Sequence, residues 1–457
     1  MRKIAARAFA CLLLVLFMIG GFSIYLVRYI SDGDRWVTFQ VNRHVYSNAE
    51  LSVGKVVDRD GVLLASMSKG AQLYNSSETT RRSTLHVVGD IGGNIGTGVL
   101  SYHATDLMGY SILNGVYSHT GRGNTIHIAI DSSLNEIAYR ALEGRKGAVI
   151  FYNYVNGEVI CMVSTPTFDP YYPLNENQLE WNDYEGVYIN RCISSSFTPG
   201  SIFKIVTLAA AIETIPELFE ISFYCNGSTT VAGETITCSS VHGQCDIYDA
   251  FAGSCNVAFS DLTQMISGQV LKEYASKFGL LDSTSVSKIP TAKGSFTVAA
   301  TGSEDLSWSG IGQYEDLVNP VAMTRLVAAI ANKGVAVTPR LITGVNSEYG
   351  LPLGLGYRTK NTKRIMSEAT AMKLAEMMQY NTIHVYNDYY GFSRFISLGA
   401  KSGTAETNDG KLPHAWFCGF LQDKNNPIAF TVIVEHAGWG LQQAAPIADA
   451  VLQALVG

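Results

Sequence analysis

Charge is scarce in this sequence. Asp, Glu, Lys and Arg supply only 16% of 457 residues, and the balance is a net −6. There is no run of like charge and so no basic face, which argues against a nucleic-acid partner. Low-complexity tracts and internal repeats are also missing, and Gly and Pro occur in ordinary numbers, which excludes a disordered or fibrous chain. No G-x-S-x-G occurs, and neither His242 nor His414 sits beside an obvious nucleophile. A Ser-His-Asp hydrolase is therefore a poor reading, and both histidines read as local hydrogen-bonding groups. What remains is 47% hydrophobic, enough for a large core and more than one domain.

The first thirty residues differ from the rest. Arg2, Lys3 and Arg7 precede an apolar run over 8–27 whose one clearly polar side chain is Ser23. At about 1.5 Å per residue this run spans an apolar bilayer core of about 30 Å. Basic residues on its amino side predict a cytoplasmic N-terminus and an extracytoplasmic remainder. The run is long for a signal-peptide h-region and ends in "SIYLVRYI" rather than in small residues, so it reads as an uncleaved single-pass anchor, 1–30.

Eight cysteines are present. Cys11 falls in the membrane segment, which leaves an odd number outside. Cys225, Cys238 and Cys245 cluster in "CNGSTTVAGETITCSSVHGQC", and outside the cytoplasm a local disulfide, Cys225 with Cys238, is the preferred reading. A zinc site from those three with His242 fits no strong ligand spacing, so no metal is expected. Cys161, Cys192 and Cys418 lie in apolar surroundings and read as buried small hydrophobes.

Residues 31–143 carry no strong helical periodicity. They include "GKVVDRDGVLLASM", in which Asp60-Gly61 turns between two strand-like runs. From 144 onward the pattern sharpens. "GAVIFYNYVNGEVICMVSTP" reads as an apolar hairpin, and "AWFCGFLQD" and "PIAFTVIVEHA" as two more buried strands. Helices lie between: an all-round apolar one over 202–212, one begun by Asn319 and Pro320 and stopped by Gly334, one capped by Ser367, and an amphipathic "APIADAVLQALVG" at the end. Strands at both ends of a domain with helices between predict an α+β fold, an antiparallel sheet covered by helices.

Inside the 202–212 pattern sits a cation. "PGSIFKIVTLAAA" places Ser201 at a helix start, where free N–H groups and the helix dipole favour negative charge. Lys204 follows three residues on, on the same face and within reach of that hydroxyl. Apolar surroundings should lower its pKa until it can act as a base. An S-x-x-K alone is weak evidence, since Ser285/Lys288 is one of several others here, and any one match reads equally as a capping serine with a snorkelling lysine. Two further motifs decide the matter: "SCN" at Ser254–Asn256 and "KSGT" at Lys401, Ser402, Gly403 and Thr404. The order S-x-x-K, S-x-N, K-[ST]-G is the signature of active-site serine enzymes acting on penicillin and D-Ala-D-Ala.

With "VVDRDGVLLA", "NRCISSSFTPGSIFKIVT", "GTAETNDGKLPHAWFCGF" and "AAPIADAVLQAL", the chain resembles the class B penicillin-binding proteins over most of its length. The short N-terminal segment and the His242–Asn256 stretch most resemble the penicillin-binding protein A group of Gram-positive bacteria. The resemblance implies a penicillin-binding-protein/β-lactamase-like transpeptidase domain over 144–457, standing on a smaller, mostly β pedestal over 31–143. It implies a peptidoglycan D,D-transpeptidase without a cofactor. Ser201 would attack the stem peptide, Lys204 would take its proton, and Ser254 would relay a proton to the leaving amine beside Lys401. Asn256 would hold the donor backbone, Ser402, Gly403 and Thr404 the terminal carboxylate, and the N–H groups of Ser201 and Thr404 the oxyanion. β-Lactams would acylate it, and a multi-pass membrane glycan polymerase would be its partner. A carboxypeptidase, a β-lactamase or a silent scaffold are the alternatives. One departure stands out: the family usually has a second glycine after "GQ", where this chain reads Gln313-Tyr314-Glu315.

Overall fold

The computed structural model describes every residue except 1, 38–53, 69–70, 91, 111, 113–114, 116–121, 354–361, 396 and 408; part of the expected pedestal thus lies outside the described residues. The chain opens with one helix, Arg2–Val37, whose stretch Arg2–Gly33 is long and apolar enough to cross a membrane, with none of its most apolar 18 residues buried. Tyr29 Oη, near its end, donates to the Ile112 carbonyl at 3.0 Å.

The centre of the molecule is a five-stranded antiparallel sheet in the order Leu398–Ala405, His414–Gln422, Pro427–Val434, Gly147–Asn153, Val159–Thr165. These are the strands expected from the apolar hairpin and the two late apolar runs, joined by the strand that carries Lys401. They read as continuous apolar runs because both faces are covered. Helices Lys204–Thr214 and Pro320–Ala331 cover one face, and Ser132–Leu142 and Ala445–Val456 the other. The helix punctuation holds at its starts. Asn319 accepts from the N–H groups of Val321 and Ala322, and Ser367 caps Glu368–Asn381 by accepting from Thr370. The Pro320 helix ends at Ala331, before Gly334, because Asn332 leaves the helix and donates to the Val335 carbonyl.

The N-terminal sheet is six-stranded, in the order Pro352–Leu353, Ile342–Asn346, Thr125–Ile128, Gly54–Val57, Leu63–Ser68, Ala71–Tyr74. The Asp60-Gly61 hairpin joins the fourth and fifth of these, with Gly61 at φ +81°. Two strands of this sheet come from 342–353, far along the sequence, so the sheet ties the N-terminal segment to the body of the chain. Helix Glu78–Val88 packs between the two parts against Ser132–Leu142.

Candidate active site

Ser201 lies in a 3-10 turn, Gly200–Phe203, that passes directly into the Lys204–Thr214 helix. With three residues per turn, positions i and i+3 eclipse, so Ser201 and Lys204 share one face. Gly200 adopts φ +55°, and a Cβ there would overlap the Thr404 carbonyl oxygen and lie 2.8 Å from its carbon. Only glycine lets the serine turn press against the end of the Lys401 strand. Gly403 serves the same approach from the other side, since its Cβ would stand 2.9 Å from Ile202 Cγ2.

Lys204 is fully buried, and its amine meets the S-x-N motif. Nζ lies 2.6 Å from the Ser254 carbonyl, 2.7 Å from Asn256 Oδ1 and 3.1 Å from Ser254 Oγ. Lys401, also fully buried, lies 3.1 Å from the same Ser254 Oγ and donates to the Ser402 carbonyl at 3.0 Å. Burial lowers Lys204 from 10.5 to about 7. Burial, and then repulsion from Lys204, takes Lys401 well below its ordinary value. A neutral Lys204 amine has two hydrogens, and the Ser254 carbonyl and Asn256 Oδ1 accept them. The nitrogen lone pair is then left to accept a hydroxyl proton. Ser254 itself is held at φ +56°, strained backbone of the kind that surrounding contacts must impose.

The other site residues fall around the same cleft, about 380 Å³, which Ser201, Ser254, Asn256, Ser402 and Thr404 all line. Lys204 makes no hydrogen bond to Ser201, whose hydroxyl has no hydrogen-bond partner among the described residues; the amine is turned to Ser254 and Asn256 instead. Asn256 is engaged on both sides, holding Lys204 through Oδ1 and donating through Nδ2 to the Thr237 carbonyl at 2.8 Å. Thr404 Oγ1 accepts from the Gly440 N–H.

One residue escaped the sequence reading. Tyr386 ends a π-helical turn, Thr382–Tyr386, and is buried. Its oxygen accepts the Ser402 N–H at 3.0 Å and stands 3.2 Å from Ser402 Oγ. Burial pushes its pKa up to about 12, so it keeps its proton for that hydroxyl. Gln313, in the stretch that departs from the family, donates to the Thr404 carbonyl at 3.2 Å and lines the cleft. The departing stretch thus reaches the cleft. A larger cavity, about 650 Å³, is lined by Lys146, Glu185, Arg191 and Glu435 among others and by none of the motif residues.

The disulfide expectation is corrected. All eight cysteines are free thiols. Cys238 Sγ is turned toward His242 Nδ1, 3.4 Å away, and accepts the Asn256 N–H at 3.2 Å. Cys245 pairs with Phe223 in the ladder to Phe223–Cys225.

Residues 147–453 match the penicillin binding protein transpeptidase domain. The chain belongs to this transpeptidase family. A curated relative, the peptidoglycan D,D-transpeptidase PbpA of Mycolicibacterium smegmatis, is 27% identical over 73% of this chain and 72% of its own. Among solved structures, penicillin-binding protein A from M. tuberculosis as a ceftriaxone acyl-enzyme complex is similar at TM-score 0.77 and 22% identity, over 89% of this chain and 99% of that one. A chain of a peptidoglycan synthase complex that coordinates polymerization and crosslinking is similar at TM-score 0.63 and 22% identity, over 73% of this chain and 63% of that one. The α+β expectation and the penicillin-binding protein A resemblance therefore both stand, with mycobacterial proteins as the named relatives.

Proposed function

We propose that this chain is a serine-type peptidoglycan D,D-transpeptidase whose nucleophile is Ser201. One observation carries the assignment of roles: a single hydroxyl, Ser254 Oγ, stands 3.1 Å from each of two fully buried amines, Lys204 and Lys401, in the cleft that Ser201 lines. Ser201 Oγ attacks the carbonyl between the two terminal D-alanines of a stem peptide, and neutral Lys204 takes its proton. The N–H groups of Ser201 and Thr404 stabilise the oxyanion, each contributing about 3 kcal/mol. As the C–N bond breaks, the proton passes from Lys204 through Ser254 Oγ to the departing D-alanine nitrogen. An acceptor amine then attacks the acyl-enzyme, its proton returns along the same path, and Ser201 leaves.

Burial keeps positive charge from settling on Lys204, and Lys401 with Ser402 and Thr404 receives the donor carboxylate. Asn256 orients Lys204 and the donor backbone. Residues 144–457 form the catalytic domain and 31–143 the pedestal. The helix at 1–30 anchors both, with Arg2, Lys3 and Arg7 on the cytoplasmic side and the cleft outside. A multi-pass membrane glycan polymerase is the partner this reading calls for, in keeping with the likeness to the synthase-complex chain.

The test is intact-protein mass spectrometry of the detergent-purified chain with benzylpenicillin, beside Ser201→Ala. A stable penicilloyl adduct on the parent and none on the variant is expected. Rapid turnover of penicillin would favour a β-lactamase, and a folded chain that never forms the adduct would be a scaffold.

A further inference from the structure

Beside the proposed active site, four side chains from three separate elements converge on one point. Cys225 ends the strand Phe223–Cys225, Cys238 follows the strand Glu234–Thr237, His242 lies in the next loop, and Cys255 caps the helix Asn256–Ile266. Their Sγ and imidazole nitrogen atoms all lie within 4.8 Å of one another, and two of the four are fully buried. A tetrahedral metal with bonds of about 2.3 Å to sulfur and about 2.0 Å to nitrogen needs ligand-to-ligand spacings of about 3.5 Å. Cys238 Sγ and His242 Nδ1 already stand 3.4 Å apart.

We propose that Cys225, Cys238, His242 and Cys255 form a closed, tetrahedral site for a structural zinc ion that fixes the S-x-N loop. This departs from the sequence expectation of no metal, which grouped Cys245 with the others and missed Cys255. The surrounding bonds suit a metal. His242 Nε2 lies 3.0 Å from the Gly253 carbonyl, so the ring proton belongs on Nε2 and the Nδ1 lone pair faces the thiols. The Asn256 N–H points at Cys238 Sγ and the Ala258 N–H, at 3.4 Å, at Cys255 Sγ, ready to support thiolate charge. Three thiolates and one imidazole in a tetrahedron select zinc over harder divalent ions. Binding releases the three thiol protons to solvent, and no electron moves.

The fold also needs such a link. Of residues 221–246 only Phe223, Cys225, Ile236 and Cys245 are buried, and the segment consists of two isolated two-stranded ladders. Paired ladders of that size are marginal without further support. Cys255 stands between Ser254 and Asn256, the two residues that hold Lys204. A metal bridging Cys255 to Cys225 and Cys238 therefore locks both contacts to the ladders.

The experiment measures metal directly and does not depend on the catalytic reading. The full chain, expressed with zinc and purified in detergent, is analysed by elemental mass spectrometry, with cobalt exchanged in as an optical probe. About one zinc per chain is expected, and the cobalt form should show thiolate charge-transfer and tetrahedral ligand-field bands. Cys245→Ser and the ligand-preserving His242→Cys should keep the metal. Cys238→Ser should bind it at least 100-fold more weakly. A parent chain without metal whose Cys225, Cys238 and Cys255 titrate as free thiols would overturn the proposal. So would a chain two hydrogens lighter with Cys238 in a disulfide, or equal loss of metal in Cys245→Ser and Cys238→Ser.

Discussion

Gly200→Ala tests whether the serine turn must touch the Lys401 strand. The added Cβ would lie 2.8 Å from the Thr404 carbonyl carbon and 3.0 Å from Ala405 Cα, and would overlap the Thr404 oxygen. All three are backbone atoms of a strand paired along its whole length with His414–Gln422, so they cannot swing aside. Ordinary contact begins near 3.4 Å, so the turn and strand must part by about 0.6 Å or more. The left-handed φ of +55° adds about 1 kcal/mol for alanine. A displacement approaching 1 Å at reacting groups costs up to about 100-fold in rate. Acylation by a fluorescent penicillin should therefore fall about 10- to 100-fold. The control is Gly61→Ala, which has φ +81° but open space around its Cβ, and should lose stability alone. If Gly200→Ala acylates within threefold of the parent, the N–H groups of Ser201 and Thr404 do not act as a pair set by this contact.

Four other outcomes are expected. Because burial puts Lys204 at about 7, acylation should rise about tenfold per pH unit below that value and level off above it; a unit slope continuing to pH 9 would show an ordinary lysine. The same lowered value means that the unfolded chain binds more protons between about 7 and 10.5, so stability should increase with pH across that window, as denaturant titrations at several pH values would reveal. Tyr386→Phe removes the partner of the Ser402 N–H and hydroxyl, and should weaken acylation by about 1–3 kcal/mol, roughly 5- to 150-fold, with the melting temperature little changed. Asn319→Ala removes the cap of a buried helix and the donor to the carbonyls of Cys192, Ile193 and Ser195. The chain should lose roughly 3 kcal/mol of stability in a denaturant melt, and a loss below about 0.5 kcal/mol would refute the capping argument.

Much of this protein was legible from local pattern. Apolar strands buried on both faces leave unbroken hydrophobic runs, and the caps Asn319 and Ser367 satisfy N–H groups two or three residues away, so both signals are written in a few consecutive residues. The three motifs fall within the same reach: Ser201 and Lys204 are one turn apart, and Ser254 and Asn256 flank a single residue. What short stretches cannot encode is which distant groups meet. The strand Ile342–Asn346 joins the N-terminal sheet because its edge is free there, not because of its composition. Tyr386 reaches Ser402 only because a π-helical turn resets its face. The cysteine spacing suggested a Cys225–Cys238 bridge; the tertiary structure instead aimed those thiols, His242 and Cys255 at one point, because the orientation of each Cβ is set by a different ladder, loop or helix. The sequence by itself determined the chemistry available, a serine and two lysines in apolar surroundings. Only the packing of helix against sheet decided that both lysines would meet at one hydroxyl, because desolvation and proximity are properties of the assembled core.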